Sequence, residues 1–154
     1  MEIRRIGDDR VDDARSVRRT VFVNEQGVPE DREIDGKDGR STHFVAYDGG
    51  EPIGVARLRP YQVDGNGSED ENVTNRGDAA KVERVAVLAE RRGEGIGREL
   101  MTAVEDTAWE TGYREIILHA QRTVVGFYTR LGYETFGDPF EDAGIEHRKM
   151  RKKL

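Results

Sequence analysis

The stretch RRGEGIGREL, residues 91–100, sets three glycines at alternate positions among arginines, directly before an apolar helical pattern. Glycine weakens a helix start and loses much conformational entropy on folding. Three glycines here therefore indicate that side chains must be absent from this part of the backbone. The first N–H groups of a helix lack internal partners, and with the helix dipole they bind anions. Arg91, Arg92 and Arg98 add charges that bind phosphate oxygens. We interpret the stretch as a phosphate cradle, with a diphosphate as the expected ligand.

Two common phosphate-binding loops do not fit this stretch. A P-loop needs Lys and Ser or Thr directly after its last glycine, whereas Arg98 and Glu99 follow Gly97. The dinucleotide fingerprint G-x-G-x-x-G needs glycine at its sixth position, and counting from Gly93 that position holds Arg98. Counting from Gly95 it holds leucine. The remaining alternative is a flexible turn with solvated arginines.

The hydrophobic pattern around the stretch predicts strands and helices in a mixed order, typical of an α+β or mixed α/β sheet domain. We expect a polar loop at 29–41 and an acidic loop at 64–80, the latter mobile. The predicted elements, in chain order, are a strand at 1–6, a helix at 8–27, a hairpin at 42–63, a strand at 81–90, a helix at 96–112, a strand at 113–120, a short helix at 123–132 and a hairpin at 133–154.

Composition narrows the class of protein. The 154 residues suit one domain, 1–154, with a substantial core. The chain contains no cysteine, so it has no disulfide, thiolate metal site or cysteine nucleophile, and we expect no metal. With no apolar run of about 20 residues and no signal-like start, we expect a soluble cytoplasmic protein without a membrane partner. The net charge of −6 argues against nucleic-acid binding.

The balance of charged residues also suggests a habitat. Arginine supplies most of the 25 basic residues, lysine is scarce, and 31 residues are acidic. Such a composition suits a protein that stays solvated in high salt, which makes a halophilic source one hypothesis. The alternative is an ordinary acidic surface that keeps the protein soluble.

Several segments together resemble the GNAT N-acetyltransferase superfamily. Arg92-x-x-Gly95-x-Gly97, after VERVAV and before an apolar helix, is similar to its acetyl-CoA signature Q/R-x-x-G-x-G/A. GFYTRLGYE, residues 126–134, resembles the family's F-Y-x-x-x-G-F/Y segment. VFVNEQGVPEDREIDGKD with His43, then ARLRP, HAQ and FEDAGIEHRKM, resemble the ElaA-like branch. The likeness spans nearly the whole chain, with the loop at 64–80 as the main departure.

The resemblance implies a fold and a donor. The fold is a mostly antiparallel sheet of six to seven strands, splayed between strands 4 and 5 and flanked by about four helices. The donor is acetyl-CoA, whose acetyl group passes directly to an amine. Loop N–H groups are implied to hold the diphosphate, and the preceding strand to pair with the pantetheine arm. These cofactor-binding residues are Val85, Ala86, Val87, Arg92, Gly93, Glu94, Gly95, Ile96, Gly97 and Arg98.

The resemblance also suggests which residue is the general acid of the acetyl transfer, but it leaves the general base open. Tyr128 matches the family's tyrosine, whose phenol, with a pKa of about 10, can protonate the CoA thiolate. The alternative is a core tyrosine, since Val124, Phe127 and Leu131 at helical spacing predict a buried helix face. For the base, Glu83 is a candidate, because strand alternation puts it on the side of Val85 and Val87. Its alternatives are an arginine partner or an amine-binding group.

Other residues are candidates for the acceptor pocket. His43 and His119 are further base candidates, although a structural histidine is the simpler reading of His119 within IILHA. His43, His119 and His147 are candidates for the wall of the pocket, and Asp35 is expected to attract a cationic amine. The acceptor is a small-molecule or peptide amine of unknown identity, and the protein a monomer or homodimer. The competing functions are a catalytically inactive CoA-binding domain and a nucleotide-phosphate binder.

Overall fold

The computed structural model describes residues 1–61 and 78–154. Within those ranges the chain forms seven strands and four α-helices, with short 3₁₀ turns between several of them. The strands are β1 Glu2–Ile6, β2 Thr42–Asp48, β3 Glu51–Pro60, β4 Ala79–Val87, β5 Glu115–Gln121, β6 Glu134–Asp142 and β7 Ile145–Lys153. The helices are α1 Val11–Arg18, α2 Glu30–Glu33, α3 Ile96–Thr111 and α4 Val125–Arg130.

The strands hydrogen-bond in the order β1-β2-β3-β4-β5-β7-β6. The β1–β2, β2–β3, β5–β7 and β6–β7 pairs are antiparallel, and β4–β5 is parallel. The parallel pairing covers only four residues of each strand and ends at Val82 opposite Leu118. Both strands continue beyond that point, to Val87 and Gln121. The predicted mixed α/β fold with a mostly antiparallel sheet is therefore confirmed, whereas the splay between strands 4 and 5 stays a prediction.

The first of two compact units comprises Met1–Arg59 and Glu83–Asp106. In this unit the inner face of α1 packs on β2 and β3, because α1 places apolar residues at helical spacing on one side. A π-helical segment, Arg19–Glu25, prolongs α1. The apolar cluster that results contains Ala14, Val17, Val21, Val45, Tyr47, Val55 and Ala86.

The second compact unit comprises Pro60–Val82 and Thr107–Leu154. Its sheet consists of the start of β4 with β5, β7 and β6, and Tyr61, Ala79, Ile117 and Phe136 form an apolar cluster. Burial of one such large apolar side chain stabilises the fold by about 1.5–3 kcal/mol. The predicted final hairpin is confirmed as β6 and β7.

Three local expectations differ from the structure. The predicted loop at 29–41 contains α2, whose first turn is rich in acidic residues that favour a helix N-terminus. Of the predicted loop at 64–80, Ala79 and Ala80 already belong to β4, while positions 64–77 lie outside the described residues. The expected buried face around α4 is wrong only in part, because Tyr128 is buried and Phe127 and Leu131 are half-buried, whereas Val124 is exposed.

No described helix has the length and apolarity to cross a bilayer. The organisation of the chain as one domain stays a prediction.

Candidate active site

The glycine-rich loop joins β4 to α3 in a backbone conformation that other residues would strain. Gly93 and Gly95 have φ angles of 83° and 82°, in the left-handed region that glycine enters without steric cost. Apart from the chain neighbours, no atom of residues 1–61 and 78–154 lies within 4 Å of the position that a Cβ would take at either glycine. The carbonyl of Gly95 accepts a hydrogen bond from Glu99 N at 3.1 Å, which closes the first turn of α3. The first N–H groups of α3 therefore adjoin an open, bare backbone.

Gly54 in β3 lets the start of α3 lie directly on the sheet. A Cβ at Gly54 would stand 3.0 Å from Ile96 Cγ2, 3.1 Å from Leu100 Cδ1 and 3.4 Å from the carbonyl oxygen of Ala86. Ile96 and Leu100 are the first two buried residues of α3. The missing side chain at Gly54 thus sets how closely the N-terminus of α3 approaches β3 and β4.

The arginines that begin the loop are paired with carboxylates. Arg92 donates from Nη1 and Nη2 to the two oxygens of Glu25, at 2.8 and 2.9 Å, and from Nε to the carbonyl of Val87 at 3.0 Å. Arg91 lies 2.8 Å from Asp48 and 3.1 Å from Glu94. These ion pairs hold the loop to the end of β4 and to the segment that follows α1.

Arg84 interrupts the extended backbone of β4. Its φ angle is 57°, a left-handed conformation that is uncommon for residues other than glycine. Arg84 Nε donates to Glu33 Oε2 at 2.7 Å, and Nη2 lies 3.3 Å from Asp35 Oδ2. These charge-assisted hydrogen bonds oppose the cost of the backbone conformation.

The interruption at Arg84 changes which side chains of β4 share a face. Glu83 bonds to Arg57, and Arg57 alternates along β3 with Val55. Val55 and Ala86 belong to the same apolar cluster. Glu83 therefore lies on the face of Ala86, and the expected grouping of Glu83 with Val85 and Val87 is wrong. The physical reason is that one left-handed residue in a strand shifts the alternation by one position.

Arg57 joins three carboxylates from two segments, the loop before β2 and strand β4. Its Nη1 donates to Asp35 Oδ1 and Asp38 Oδ1, both at 2.9 Å, and its Nη2 donates to Asp35 Oδ2 at 2.7 Å and to Glu83 Oε2. The other oxygen of Glu83 accepts from Arg59 Nη2 at 2.8 Å. The Arg57 side chain is fully buried, whereas that of Asp35 is 21% exposed. Asp35 is therefore the carboxylate of this group that solvent reaches best.

Arg18 of α1 completes the buried ion-pair network. Its Nε and Nη2 donate to the two oxygens of Glu33 at 2.9 and 3.1 Å, and its Nη1 donates to Asp38 Oδ1 at 2.8 Å. The Arg18 side chain is fully buried. Removing one partner from such a buried pair typically costs about 3–5 kcal/mol, because a charge is left without compensation. The network therefore ties α1 and the 30–40 segment to β3 and β4.

Burial and the arginines set the titration of the groups in this network. Burial alone would raise the pKa of Asp38, but hydrogen bonds from Arg18 and Arg57 outweigh it and hold the pKa below its ordinary value. Asp35 shows the same balance, with Arg57 lowering its pKa against burial. Burial lowers the pKa of His43, opposed by the hydrogen bond from its Nε2 to the carbonyl of Asp38 at 3.0 Å. His43 is thus favoured in its neutral form.

Tyr128 is a buried side chain of α4 in the second unit. Its ring is 7% exposed and meets Phe127 and Tyr133 edge-on, with centroids 4.9 and 5.9 Å away. Burial raises the pKa of its hydroxyl well above the ordinary value. The phenol therefore stays protonated, which is the state that an acid requires.

His119 and His147 both contact the ring of Phe140 in the second unit. The His119 ring meets Phe140 edge-on at 5.0 Å, and the His147 ring stacks on it at 5.5 Å with an interplanar angle of 25°. Lys149 Nζ is 5.9 Å from the centre of the same ring. His147 Nδ1 is 2.7 Å from the carbonyl oxygen of Ile145. Two predicted pocket histidines are thus neighbours.

Comparison with known proteins agrees with this geometry. Residues 10–154 match the acetyltransferase (GNAT) domain family. The N-acetyltransferase YjcF of Bacillus subtilis, itself uncharacterized, is 39% identical over 146 residues, which cover 94% of each chain. The chain belongs to the GNAT acetyltransferase family.

Solved structures extend the match to the fold. Escherichia coli ElaA superposes with a TM-score of 0.78 at 23% identity, over 98% of both chains. An aminoglycoside 6′-N-acetyltransferase, solved in complex with coenzyme A, superposes with a TM-score of 0.71 at 16% identity, over 99% of this chain and 97% of the other. The predicted resemblance to the GNAT superfamily and to ElaA is therefore confirmed, and the protein is an acyltransferase.

The predicted site residues of this GNAT protein fall into two groups. The first unit holds the glycine loop, the end of β4, and His43, Asp35 and Glu83, which the ion-pair network brings together. The second unit holds Tyr128 and the pair His119 and His147. Among residues 1–61 and 78–154, no cluster of three or more histidine or carboxylate side chains is arranged to hold a metal ion.

Sequence reasoning missed the arginines of the network and their partner Glu33. Arg18, Arg57 and Arg84 are separated from their carboxylates by 15–51 residues, so no local pattern shows the pairing. One signal was present: the strand VARLRP carries two arginines where a buried strand is expected to be apolar. Buried arginines in a strand indicate carboxylates nearby.

Proposed function

We propose that this GNAT protein transfers an acetyl group from acetyl-CoA directly to the primary amine of an unidentified acceptor. One observation carries the proposal: the loop with left-handed Gly93 and Gly95 opens the N-terminus of α3, in a chain 39% identical to YjcF. The aminoglycoside acetyltransferase with the same fold is bound to coenzyme A, which supports CoA as the carrier.

The diphosphate of acetyl-CoA would lie on the N–H groups of residues 92–98. Arg98 supports this placement, because it is an exposed cation in the first turn of α3, where the helix dipole disfavours positive charge. An anionic ligand bound at that position would attract Arg98, so that its positive charge becomes favourable there. Backbone groups of Val85, Ala86 and Val87 would pair with the pantetheine arm, as an added strand does.

Tyr128 would protonate the CoA thiolate as it leaves. Its burial keeps the hydroxyl protonated, so that a proton is available to the thiolate that forms beside it. The carboxylates of the network would attract a cationic amine, with Asp35 as the accessible member. For Glu83, two arginine partners favour an amine-binding role over proton abstraction.

The remaining expectations are part of the same proposal. We propose one domain over residues 1–154, as a monomer or homodimer in the cytoplasm, with neither nucleic acid nor membrane as a partner. The acidic, lysine-poor composition supports a high-salt habitat. The alternative of an inactive CoA-binding domain gains no support from a relative named as an N-acetyltransferase.

Ligand-dependent melting separates CoA binding from other phosphate binding. A ligand that binds the native state raises the melting temperature by mass action. Acetyl-CoA is expected to raise the melting temperature of this protein, whereas ATP and NAD at the same concentration are expected to leave it unchanged. A shift with ATP or NAD and none with acetyl-CoA would contradict the proposal.

Thiol release tests catalysis by the bound acetyl-CoA. We expect free thiol from acetyl-CoA with one of spermidine, kanamycin, L-lysine or a lysine-containing peptide, at low or at molar salt. Tyr128→Phe is expected to lower kcat by about 10²–10⁴-fold while the melting shift with acetyl-CoA survives. Tyr113→Phe, a matched change of a half-exposed tyrosine after α3, is expected to keep wild-type turnover. Acetyl-CoA binding without turnover of any amine would favour the inactive alternative.

A further inference from the structure

The cluster of His119, Phe140 and His147 lies at the end of β5, beyond the last β5 residue that pairs with β4. Parallel pairing ends at Leu118 of β5, and His119 is the next residue. His147 of β7 pairs with Gln121 at the end of β5 and with Phe140 of β6. The cluster therefore belongs to the part of β5 that extends past its last β4 partner.

The hydrogen bond of His147 fixes which ring nitrogen carries the proton. Nδ1 lies 2.7 Å from the carbonyl oxygen of Ile145, and a carbonyl can only accept a hydrogen bond. The proton of the neutral ring is therefore on Nδ1, and the lone pair is on Nε2. Stacking on Phe140 holds the plane of the ring. A half-buried imidazole in this state is oriented to accept a proton at Nε2.

His43 and Glu83, the candidate bases in the first unit, are less suited to proton abstraction than His147. His43 donates from Nε2 to Asp38, and its Nδ1 is buried and has no hydrogen-bond partner within residues 1–61 and 78–154. Its ring is 3% exposed, so an amine does not reach the lone pair. Both oxygens of Glu83 already accept hydrogen bonds from arginines. His147 combines exposure with an oriented lone pair.

The groups that face His147 come from every strand beside it. They are His119 and Gln121 from β5, Phe140 and Asp142 from β6, and Lys149 from its own strand. Glu146 and Arg148 point to the opposite face by strand alternation, and Glu146 pairs with Arg122 of the turn after β5 at 3.5 Å. The charged or titratable side chains on the face of His147 thus include two basic groups, His119 and Lys149, and one carboxylate, Asp142, which lies opposite Ile145.

We propose that His147 is the general base of the acetyl transfer and takes the proton of the acceptor ammonium at Nε2, directly or through one water. This role depends on the acetyl transfer proposed above. It adds a residue that the sequence pattern placed only in the wall of the acceptor pocket.

The proton and electron balance is complete without a further reactant. The ammonium R–NH₃⁺ gives one proton to Nε2, and the resulting amine attacks the thioester carbonyl to form the C–N bond. The C–S bond breaks, and the thiolate takes a proton from the Tyr128 hydroxyl. The second nitrogen proton returns to that hydroxyl through water, and His147 releases its proton to solvent. The products are the amide, CoA thiol and one proton.

Two substitutions test the base role. His147→Asn leaves an amide able to donate to the Ile145 carbonyl in place of Nδ1, but it removes Nε2. Using whichever amine the wild type acetylates fastest, we expect His147→Asn to lower kcat by about 10²–10⁴-fold with an unchanged melting shift from acetyl-CoA. Added imidazole is expected to restore part of the rate. Glu146→Gln, the adjacent exposed residue of β7, is the matched control and is expected to keep the wild-type rate.

The pH profile and the tautomer provide two further measurements. The acid limb of kcat/KM is expected to be lost in His147→Asn and kept in Glu146→Gln. Nitrogen NMR of the free protein is expected to show neutral His147 with its proton on Nδ1. Wild-type rate and pH profile in His147→Asn, or a proton on Nε2 in the neutral ring, would overturn the base role while the acetyl transfer stands. No turnover of any amine by the wild type would overturn the acetyl transfer and the base role together.

Discussion

Arg92 and Glu25 form a bidentate ion pair at the entrance to the glycine loop, with both guanidinium Nη atoms within 2.9 Å of the carboxylate. The hydrogen bond from Arg92 holds the pKa of Glu25 below its ordinary value, so the pair is intact at neutral pH. In the proposed complex, Glu25 competes with the diphosphate for Arg92. Glu25→Gln is therefore expected to lower the Kd of acetyl-CoA about two- to fivefold at low salt, measured by calorimetry.

Glu30→Gln is the matched control for Glu25→Gln. Glu30 also forms an exposed pair, with Arg19 at 2.6 Å, and the substitution removes the same charge. Because Arg19 is not part of the loop, the control is expected to leave the Kd unchanged. The gain in Glu25→Gln is expected to vanish in molar salt, where surface charges are screened. Weaker binding in Glu25→Gln would show that the ion pair supports the loop instead of competing for it.

Arg57 is expected to be the most sensitive charged residue for stability. Arg57→Met removes the buried partner of Asp35, Asp38 and Glu83, which leaves carboxylates without compensation. We expect a loss of about 3–5 kcal/mol in the free energy of unfolding, measured by urea denaturation. Arg19→Met removes the same chemical group from an exposed pair and is expected to cost less than about 1 kcal/mol. Equal losses in the two variants would contradict the structural role of the network.

His43 is expected to make stability depend on pH below about 6.5. Its folded pKa is lowered by burial, so below the unfolded value of about 6.5 the unfolded chain binds a proton that the folded chain does not. The free energy of unfolding therefore falls as the pH falls below this value. Asp35 and Asp38, whose folded pKa values are also lowered, act with the same sign below about pH 4.

The variant His43→Gln isolates the contribution of His43. Urea denaturation of both proteins at about pH 7.5 and pH 5.5 is expected to show a smaller loss of stability in His43→Gln. Loss of equal size in both would mean that the folded and unfolded pKa values of His43 are alike.

Gly54 is expected to affect both the stability of the protein and the position of the glycine loop that precedes α3. Gly54→Val would place methyl groups against Ile96 and Leu100, where a Cβ alone stands 3.0 and 3.1 Å away. We expect a loss of about 1–3 kcal/mol and a weaker melting shift with acetyl-CoA, since the N-terminus of α3 must move. Gly39→Ala, at a position with no atom within 4 Å of a Cβ, is expected to change neither. If acetyl-CoA raised the melting temperature of Gly54→Val as much as that of the wild type, acetyl-CoA binding would not depend on how closely α3 packs against β3.

The glycine loop and its surroundings were predictable because their signals are local. An apolar stripe at helical spacing and a glycine at position 112 predicted a helix at 96–112, and α3 is Ile96–Thr111. The final hairpin and the short helix before it likewise follow from turn glycines and strand composition. These elements need no knowledge of distant partners.

The ion-pair network and the kink in β4 were not predictable, for a physical reason. The left-handed backbone of Arg84 has no signature in its residue type, since arginine rarely adopts it. It is held by Glu33, which is 51 residues away. Regular strand alternation through Arg84 therefore predicts the wrong face for Glu83. Only the three-dimensional structure shows that tertiary ion pairs override the local pattern.

The measurement that tests direct acetyl transfer most directly follows an isotopic label. The protein is incubated with acetyl-CoA labelled in the acetyl group, first alone and then with the amine panel. We predict that no label becomes attached to the protein and that labelled amide appears once an accepted amine is added, at a rate that Tyr128→Phe lowers strongly. Label bound covalently to the protein, or no labelled amide with any amine, would contradict direct acetyl transfer.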